Sequence, residues 1–337
     1  MGTIDAAAEA VSVGVRQAGD MMVMYGSTMF FIGICEGNKS EQSLWSAPWL
    51  FENEFALMAG TSTSGTITQW FKKEFAKDLD SDEALQILSE MAEKSPIGSK
   101  NLITLPYFSG ERTPIQDPNA CGIIFGLNLT HKREDIYRSI IEGISYGANH
   151  IIETFMQSDF IPNKLFAVGG GVKNKIWTSS ISNISCLSQE LKSKTIGASY
   201  GNSFLAALSQ GDVGISDIDS WNKTNDIIKP KPSIIYEEQF KIFKKLYENN
   251  NIKFDLSHSS LNDYNFKLFY DDNFYNEFVS TGSTEAFAVT GAGTTNLTLS
   301  YQNLSLIHIS EPTRPERISY SGLWVEKKRG GGGGGGG

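Results

Sequence analysis

Short apolar runs typical of strands alternate with helical patterns over residues 1–251, and this alternation limits the possible fold more than any other feature. MMVMYG, MFFIGI and KLFAV have the length and composition of strands. In residues 133–157 isoleucines recur at helical spacing, which predicts one long helix with an apolar face. Strands that alternate with helices bury their apolar faces as helix layers on a sheet. The sequence therefore predicts an α/β fold for a domain over residues 1–251.

The character of the sequence changes after Asn251. Residues 252–303 are rich in Asn, Asp and Tyr and then in small polar residues, and they have no clean period. The segment 304–337 is similar to a translated sequencing-adapter read and ends in eight consecutive glycines, which cannot offset their ordering entropy by burying a side chain. We expect residues 252–303 to be an unassigned, poorly ordered segment, either natural or foreign. We expect residues 304–337 to be a disordered sequencing or assembly artefact.

Charge and the pattern of apolar residues exclude several classes of partner. The net charge of −9 argues against a sequence-independent grip on nucleic acid or on an anionic membrane. The opening residues, MGTIDAAAEA, lack the pattern of a signal peptide, and no apolar run is long enough to span a membrane. We therefore expect a cytoplasmic protein that binds neither nucleic acid nor membrane.

Cysteine and histidine give no sign of a disulfide framework or a metal cluster. The three cysteines, Cys35, Cys121 and Cys186, are widely spaced, and an odd number fits free thiols in a reducing compartment. We expect Cys121 and Cys186 to be buried as small apolar residues. The four histidines are scattered, so we expect no metal ion held directly by side chains of the chain.

Six motifs follow one another over residues 1–251. They are GTIDAAAEAVSVGV, MMVMYGSTMF, GTSTSGTITQWF, the stretch from LPYFSGERTP to IIEGISYG, AVGGGVKNKIW and GASYGNSFLAAL. In this order and spacing the set resembles the C-terminal half of the FGGY carbohydrate kinases, and GTSTSGTITQWF is most similar to the xylulokinase branch. The resemblance implies an actin-like ATPase, or ribonuclease H-like, fold as the C-terminal lobe of a sugar kinase.

The same resemblance implies a reaction: transfer of the γ-phosphoryl group of ATP to a sugar hydroxyl, from D-xylulose to D-xylulose 5-phosphate in the complete enzyme. It implies ATP and Mg²⁺ as cofactors, with Mg²⁺ held mainly through the ATP phosphates, and a small sugar as substrate. A ribulokinase, gluconokinase or glycerol kinase is the alternative within the family. A non-catalytic nucleotide-binding module of the actin-like superfamily, or a structural α/β domain without a ligand, is the alternative outside it.

Asp5 matches the family's Gly-x-x-Asp position before a helix of small residues, and the resemblance implies that it accepts the proton of the sugar hydroxyl. An ionised carboxylate is a weak base, so most of the rate would come from positioning. The alternative is that Asp5 only caps the helix.

Two further motifs match positions that line the family's nucleotide cleft. In YGST, a hairpin turn, Ser27 matches the hydroxyl position that contacts the nucleotide phosphates, with Thr28 beside it; the alternative is an ordinary turn. In GTITQW, Gly65 and Gln69 match cleft positions and lie four residues apart, on one helical face. The alternative for this pair is a helix start with an exposed amide.

The segment LFAVGGGVKNKIW predicts a strand, a glycine turn and a helix, but it matches neither the P-loop nor the dinucleotide-binding pattern. By resemblance, Gly169, Gly170 and Gly171 let an adenine or ribose lie against bare backbone, where a Cβ would collide. Asn174 would hydrogen-bond the adenosine with its amide. The alternative is a glycine turn that serves close packing of strand on helix.

FGGY kinases begin with a second domain that carries an Asp-x-Gly-[ST] phosphate loop and most of the sugar site, and no stretch here matches it. We therefore expect this chain to lack the sugar-binding lobe, to bind ATP weakly and to be inactive alone. A homodimer of the complete enzyme stays open. In SGERTP, we expect Glu111 and Arg112 to form an internal pair that fixes a loop.

Overall fold

The computed structural model describes residues 3–39, 43–51, 53–79 and 83–249, together with five short strands between residues 253 and 301. The chain divides into two compact units, Met1–Tyr247 and Glu248–Gly337. The first unit contains all the motifs named above.

A seven-stranded mixed sheet forms the centre of the first unit, in the order β3-β4-β2-β1-β7-β8-β9. Strands β1, β7 and β8 are parallel to one another, whereas β2, β3, β4 and β9 pair antiparallel with their neighbours. A separate hairpin is formed by β5 and β6. The strands are β1 Asp20–Tyr25, β2 Met29–Glu36, β3 Trp45–Pro48, β4 Glu54–Gly60, β5 Ile103–Leu105, β6 Ile123–Phe125, β7 Lys164–Val168, β8 Gln189–Lys192 and β9 Thr224–Ile228.

Helices cover both faces of this sheet. They are α1 Asp5–Ser12, α2 Gly65–Phe75, α3 Ala84–Glu93, α4 Arg133–Gln157, α5 Lys175–Ser185, α6 Ala198–Gln210, α7 Ile218–Trp221 and α8 Ile234–Asn249. Consecutive strand residues point to opposite faces, so Met21 packs with α2 to α5 whereas Met22 packs with α1, α6 and α7. The predicted α/β architecture is confirmed.

Helix α4 is buried on both sides, because a third apolar cluster, formed by β5 and α8, covers the side away from the sheet. The sequence predicted a single apolar face for this helix. Glu142, in its middle, accepts hydrogen bonds from Arg138 Nε at 2.8 Å, from the backbone N–H of Gly98 at 3.1 Å and from the hydroxyl of Ser99 at 2.6 Å. A charge at this depth is tolerated because each oxygen has donors.

Helices α1 and α6 cross with their backbones in contact. A Cβ on Gly201 would overlap the carbonyl oxygen of Ala8, so only glycine fits at this point of α6. The contact fixes α1, which carries Asp5, on the face of the sheet. Helix α1 ends at Ser12, because Gly14 follows with φ of +100°, which a continuing helix cannot adopt.

Two of the cysteines lie where the sequence did not predict them. Cys121 and Cys186 are exposed, so the expectation that both are buried is wrong. Cys186 follows the last residue of α5 in a left-handed conformation, with φ of +59°, and Cys121 lies in the loop before β6. Cys35 is buried, and all three thiols are free.

Beyond the end of α8, the described residues of the second unit form antiparallel strands. They are β10 Lys253–Asp255, β11 Asn265–Tyr270, β12 Asn273–Val279, β13 Glu285–Thr290 and β14 Asn296–Tyr301. Strands β10 to β12 form one sheet, and β13 and β14 form another. The expectation for residues 304–337 lies outside the described residues. Among the residues that the structure describes, no helix has the length and apolar character needed to cross a membrane.

Candidate functional site

The predicted nucleotide-binding turns lie at one edge of the central sheet. Strands β1 and β7 are parallel neighbours, with Met24 opposite Val168, so the turn after each lies at the same carboxyl edge. Strand β4 runs in the same direction as β1, because both pair antiparallel with β2, and the loop before α2 therefore reaches this edge too. In open α/β sheets, ligands bind outside the carboxyl ends of the strands.

A cavity of about 240 Å³ opens at this edge, between α1 and the glycine turn after β7. The residues that line it come from the end of α1, from the turn after β7 and from the loop between β8 and α6. They are Glu9, Ser12, Val13, Val168, Gly169, Gly170, Val172, Lys173, Thr195 and Gly197. The cavity connects the helix that carries Asp5 with the glycine turn.

The three glycines of the turn have different roles. Gly169 has φ of +94°, and a Cβ there would lie 2.6 Å from the carbonyl oxygen of Tyr25. A Cβ on Gly171 would lie 2.6 Å from the ring of Trp177. Gly170 is exposed to the cavity, and a Cβ there would meet nothing within 4 Å. Protein packing therefore explains Gly169 and Gly171, whereas the bare backbone at Gly170 faces open space.

Asn174 begins helix α5. Its side-chain Oδ1 accepts a hydrogen bond from the backbone N–H of Trp177 at 3.1 Å, which is an N-cap. The residue is therefore the N-cap, directly before the first helical residue, Lys175. This geometry fixes the orientation of the amide and leaves its Nδ2 group as a donor beside the glycine turn.

The turn between β1 and β2, which carries Ser27, is held against the start of α2 at Gly65. The carbonyl oxygen of Ser27 accepts from the backbone N–H groups of Ser64 at 3.0 Å and Thr66 at 3.1 Å, and Gly65 N–H donates to the carbonyl of Gly26 at 3.1 Å. A Cβ on Gly65 would lie 2.5 Å from that carbonyl oxygen, so glycine is required for this approach. The Ser27 side chain is exposed, and Thr28 is half-buried.

Gln69 lies one turn further along α2 and is also exposed. Neither it nor the Ser27 turn lines the 240 Å³ cavity. The two groups of residues are nevertheless neighbours, because Gly169 packs on the backbone of Tyr25, two residues before Ser27.

Asp5 is the first residue of α1, and Ile4 occupies the N-cap position. Among the residues that the structure describes, its carboxylate accepts a hydrogen bond only from the N–H of the next residue, Ala6, at 2.8 Å, and its side chain is exposed. Asp5 therefore does not serve as the N-cap of α1, in contrast to the alternative considered from the sequence.

Glu9 lies one turn after Asp5, about 6 Å along the axis, and lines the cavity. Its pKa is raised, first by burial and then by the negative charge of Asp5. Asp5 is thus close to the cavity without lining it.

Sequence reasoning did not identify Glu9, Lys173, Thr195 or Gly197 as lining residues. Gly197 was the most detectable of these, since a glycine directly before a helical pattern is typical of an unusual backbone, and its φ is +86°. No group of three or more His, Cys, Asp or Glu side chains in the described part of the chain is arranged to hold a metal ion.

Comparison with known proteins identifies the family. Residues 21–209 match the family described as "FGGY family of carbohydrate kinases, C-terminal domain". The chain belongs to the FGGY family of carbohydrate kinases. The matched range includes the hairpin turn, helix α2, helix α4, the glycine turn and α6 up to Ser209.

Several FGGY kinases are similar to this chain. The xylulose kinase of Bacillus subtilis is 28% identical over 62% of this chain and 42% of its own length. A ribulokinase of Bacillus licheniformis is 25% identical over 74% of this chain and 49% of its own. The crystal structure of xylulose kinase from Rhodospirillum rubrum superposes with a TM-score of 0.68 at 26% identity, over 73% of this chain and 50% of that one.

These matches confirm the predicted fold class, an actin-like sugar kinase C-terminal lobe. The chain spans about half the length of the relatives that it matches.

Proposed function

We propose that this chain supplies the nucleotide-binding half and the catalytic base of an ATP-dependent sugar kinase. The cavity that joins α1 to the glycine turn is the observation that carries the proposal. A kinase must bring a triphosphate and a proton acceptor into one groove, because phosphoryl transfer depends mainly on positioning and on charge stabilisation. Helix α1 forms one wall of this cavity, and Asp5 lies at its N-terminal end, one turn before Glu9.

The residues present fit a nucleotide. Gly170 offers an exposed backbone surface on which a flat purine or ribose can lie without meeting a side chain. Asn174 Nδ2 is held beside this surface by the cap on α5 and can donate to the adenosine. The Ser27 hydroxyl, exposed at the neighbouring turn, can donate to phosphate oxygens, with Thr28 next to it. Gly65 lets this turn pack against the start of α2, and Gln69 is exposed one turn further along the same helix, where it can reach a bound nucleotide.

Mg²⁺ would be held mainly through the ATP phosphates, where it would neutralise charge that develops during transfer. Asp5 would accept the proton of the attacking sugar hydroxyl. Its exposed position, with one backbone hydrogen bond, keeps the carboxylate available to a substrate.

We propose a ketopentose, D-xylulose, as the acceptor, since a xylulose kinase is among the relatives. A ribulokinase is also a relative, so ribulose is the second candidate. The proposal includes the division of the chain made from the sequence, with residues 1–251 as the kinase lobe. We also propose that this chain alone binds ATP weakly and does not phosphorylate a sugar. We propose that the protein is located in the cytoplasm.

The test joins the chain to the preceding half of Bacillus subtilis xylulose kinase and measures phosphorylation of D-xylulose. We expect Asp5→Asn to lower kcat by roughly 10²–10⁴-fold, the usual contribution of a positioned base, with Mg-ATP affinity changed less than threefold. Thr3→Ala, two residues away, is the matched control. Full activity of Asp5→Asn in an active fusion would show that the base lies elsewhere.

A further inference from the structure

Glu111 is a buried carboxylate that lies between β5 and β6 in the chain and contacts the loop that precedes helix α2. It is 4% exposed, and its Oε1 accepts hydrogen bonds from the backbone N–H groups of Ser62 and Arg112, both at 2.7 Å. The Arg112 side chain donates instead to the carbonyl of Thr61. The sequence predicted that these two side chains fix a loop as a pair; they fix one by binding backbone groups of adjacent residues.

The loop held in this way supports the turn that carries Ser27. The N–H of Thr61 donates to the carbonyl oxygen of Met29 at 3.0 Å, and the N–H of Met29 donates to Oγ1 of Thr61 at 2.9 Å. Three residues on, Ser64 N–H donates to the Ser27 carbonyl at 3.0 Å. Hydrogen bonds from the residues on either side of Ser62 therefore connect it to Ser27, in the middle of the β1–β2 turn, and to Met29, directly after the turn.

We propose that Glu111 is a positioning residue that sets the geometry of the Ser27 turn through residues 61–65, and that protonation of its carboxyl loosens this hold. The proposal rests on the proposed function only in that the turn is taken to meet nucleotide phosphates. Glu111 itself touches no proposed ligand position.

The environment of Glu111 makes such a protonation accessible near neutral pH. Burial raises the pKa of Glu111 to about 7, although the N–H groups of Arg112 and Ser62 and the charge of Arg112 act in the opposite direction. The other ionisable groups around it, within the described residues, are Tyr107, whose pKa is itself raised by burial and by Glu111, and Asp117, whose carbonyl accepts from the Glu111 N–H at 2.8 Å.

Loss of the negative charge weakens the two hydrogen bonds that Glu111 accepts. Bonds to an ionised acceptor are roughly twice as strong as neutral ones. The direction in which Mg-ATP affinity changes with pH distinguishes a positioning role of Glu111 from electrostatic repulsion of the phosphates. If Glu111 positions the turn, Mg-ATP binds more weakly as the pH falls through 7. If Glu111 only repels phosphate, Mg-ATP binds more strongly.

The test compares the wild-type chain, Glu111→Gln and the exposed control Glu93→Gln between pH 6 and pH 8. We expect the Ser62 and Gly65 amide NMR signals to titrate with a midpoint near 7 in the wild type and the control, and to stay constant in Glu111→Gln. We expect the Mg-ATP dissociation constant to rise about three- to tenfold from pH 8 to pH 6, relative to Glu111→Gln. The titration of ATP itself is common to all three proteins and cancels in this ratio.

The proposal would be overturned if the Ser62 and Gly65 amide signals of the wild type do not titrate, or if they still titrate in Glu111→Gln. It would also be overturned if Mg-ATP binds the wild type more tightly at low pH, relative to Glu111→Gln. If no protein binds Mg-ATP at any pH, the proposed function fails, and the amide titration alone decides the positioning role. If Glu111→Gln does not fold, a pH titration of the wild type replaces the comparison with this variant. The ¹³C signal of the Glu111 carboxyl group and the amide signal of Ser62 are then measured in the same samples. A common midpoint would support the proposal, and unrelated midpoints would refute it.

Discussion

Replacing Gly170 with valine should separate folding from nucleotide binding. A Cβ at Gly170 meets no protein atom within 4 Å, and its φ does not lie in the left-handed region. We therefore expect Gly170→Val to change the free energy of unfolding by no more than about 1 kcal/mol, the scale of glycine substitutions at compatible positions. The new side chain would project into the cavity that Gly170 lines.

The ligand, in contrast, would have to move. Forcing extra atoms into a fitted space costs about 1–3 kcal/mol, which corresponds to roughly a 5- to 150-fold weaker dissociation constant. Calorimetric titration with Mg-ATP and thermal unfolding followed by circular dichroism measure the two quantities. Gly214→Val is the matched control, because a Cβ there has its nearest neighbour at 3.7 Å and the residue lies outside the cavity lining.

Gly169→Val gives the opposite pattern. Its φ of +94° and the 2.6 Å approach to the Tyr25 carbonyl predict loss of folding stability, with weaker binding as a consequence. Unchanged Mg-ATP affinity in a folded Gly170→Val protein would refute the placement of the nucleotide on this turn.

Two further outcomes concern stability. Gly201→Ala should destabilise the first unit by about 3 kcal/mol, because the new methyl group overlaps the Ala8 carbonyl; Ser203→Ala, on the exposed face of the same helix, is the control, and equal melting temperatures would contradict the close contact of α1 with α6. Glu111 binds its proton more tightly in the folded chain, with a pKa of about 7 against 4.5, so the free energy of unfolding should fall by up to about 3 kcal/mol as the pH rises from 4.5 to 7. Denaturant unfolding of the wild type and Glu111→Gln measures this difference, and parallel pH curves for the two proteins would contradict it.

The parts of the fold with strong local patterns could be predicted from the sequence. Strands β1, β2 and β7 are continuous apolar runs, and α4 has sustained helical spacing, so each was identified. Strand β4, from Glu54 to Gly60, was not predicted, because its short run EFALMAG has neither clean alternation nor β-branched residues. Its place beside β2 depends on pairing between distant segments.

The site shows the same division between local and distant causes. The glycines at 65 and 169 were identified by their motifs, but the reasons for them are contacts with the carbonyls of Gly26 and Tyr25, which no local pattern contains. Glu9 was missed because an acidic residue in an alanine-rich helix has many possible environments. Only the packing of α1 against α6, which places α1 across the cavity from the glycine turn, brings Glu9 to the cavity wall.

A crystal structure of the chain with Mg²⁺ and a non-hydrolysable ATP analogue would show whether the glycine turn and α1 bind one nucleotide together. We expect the adenosine on the backbone of Gly170 beside Asn174, the phosphates near the Ser27 hydroxyl, and the terminal phosphate as the part nearest Asp5. A nucleotide bound elsewhere on the first unit, or with its terminal phosphate directed away from α1, would contradict this expectation.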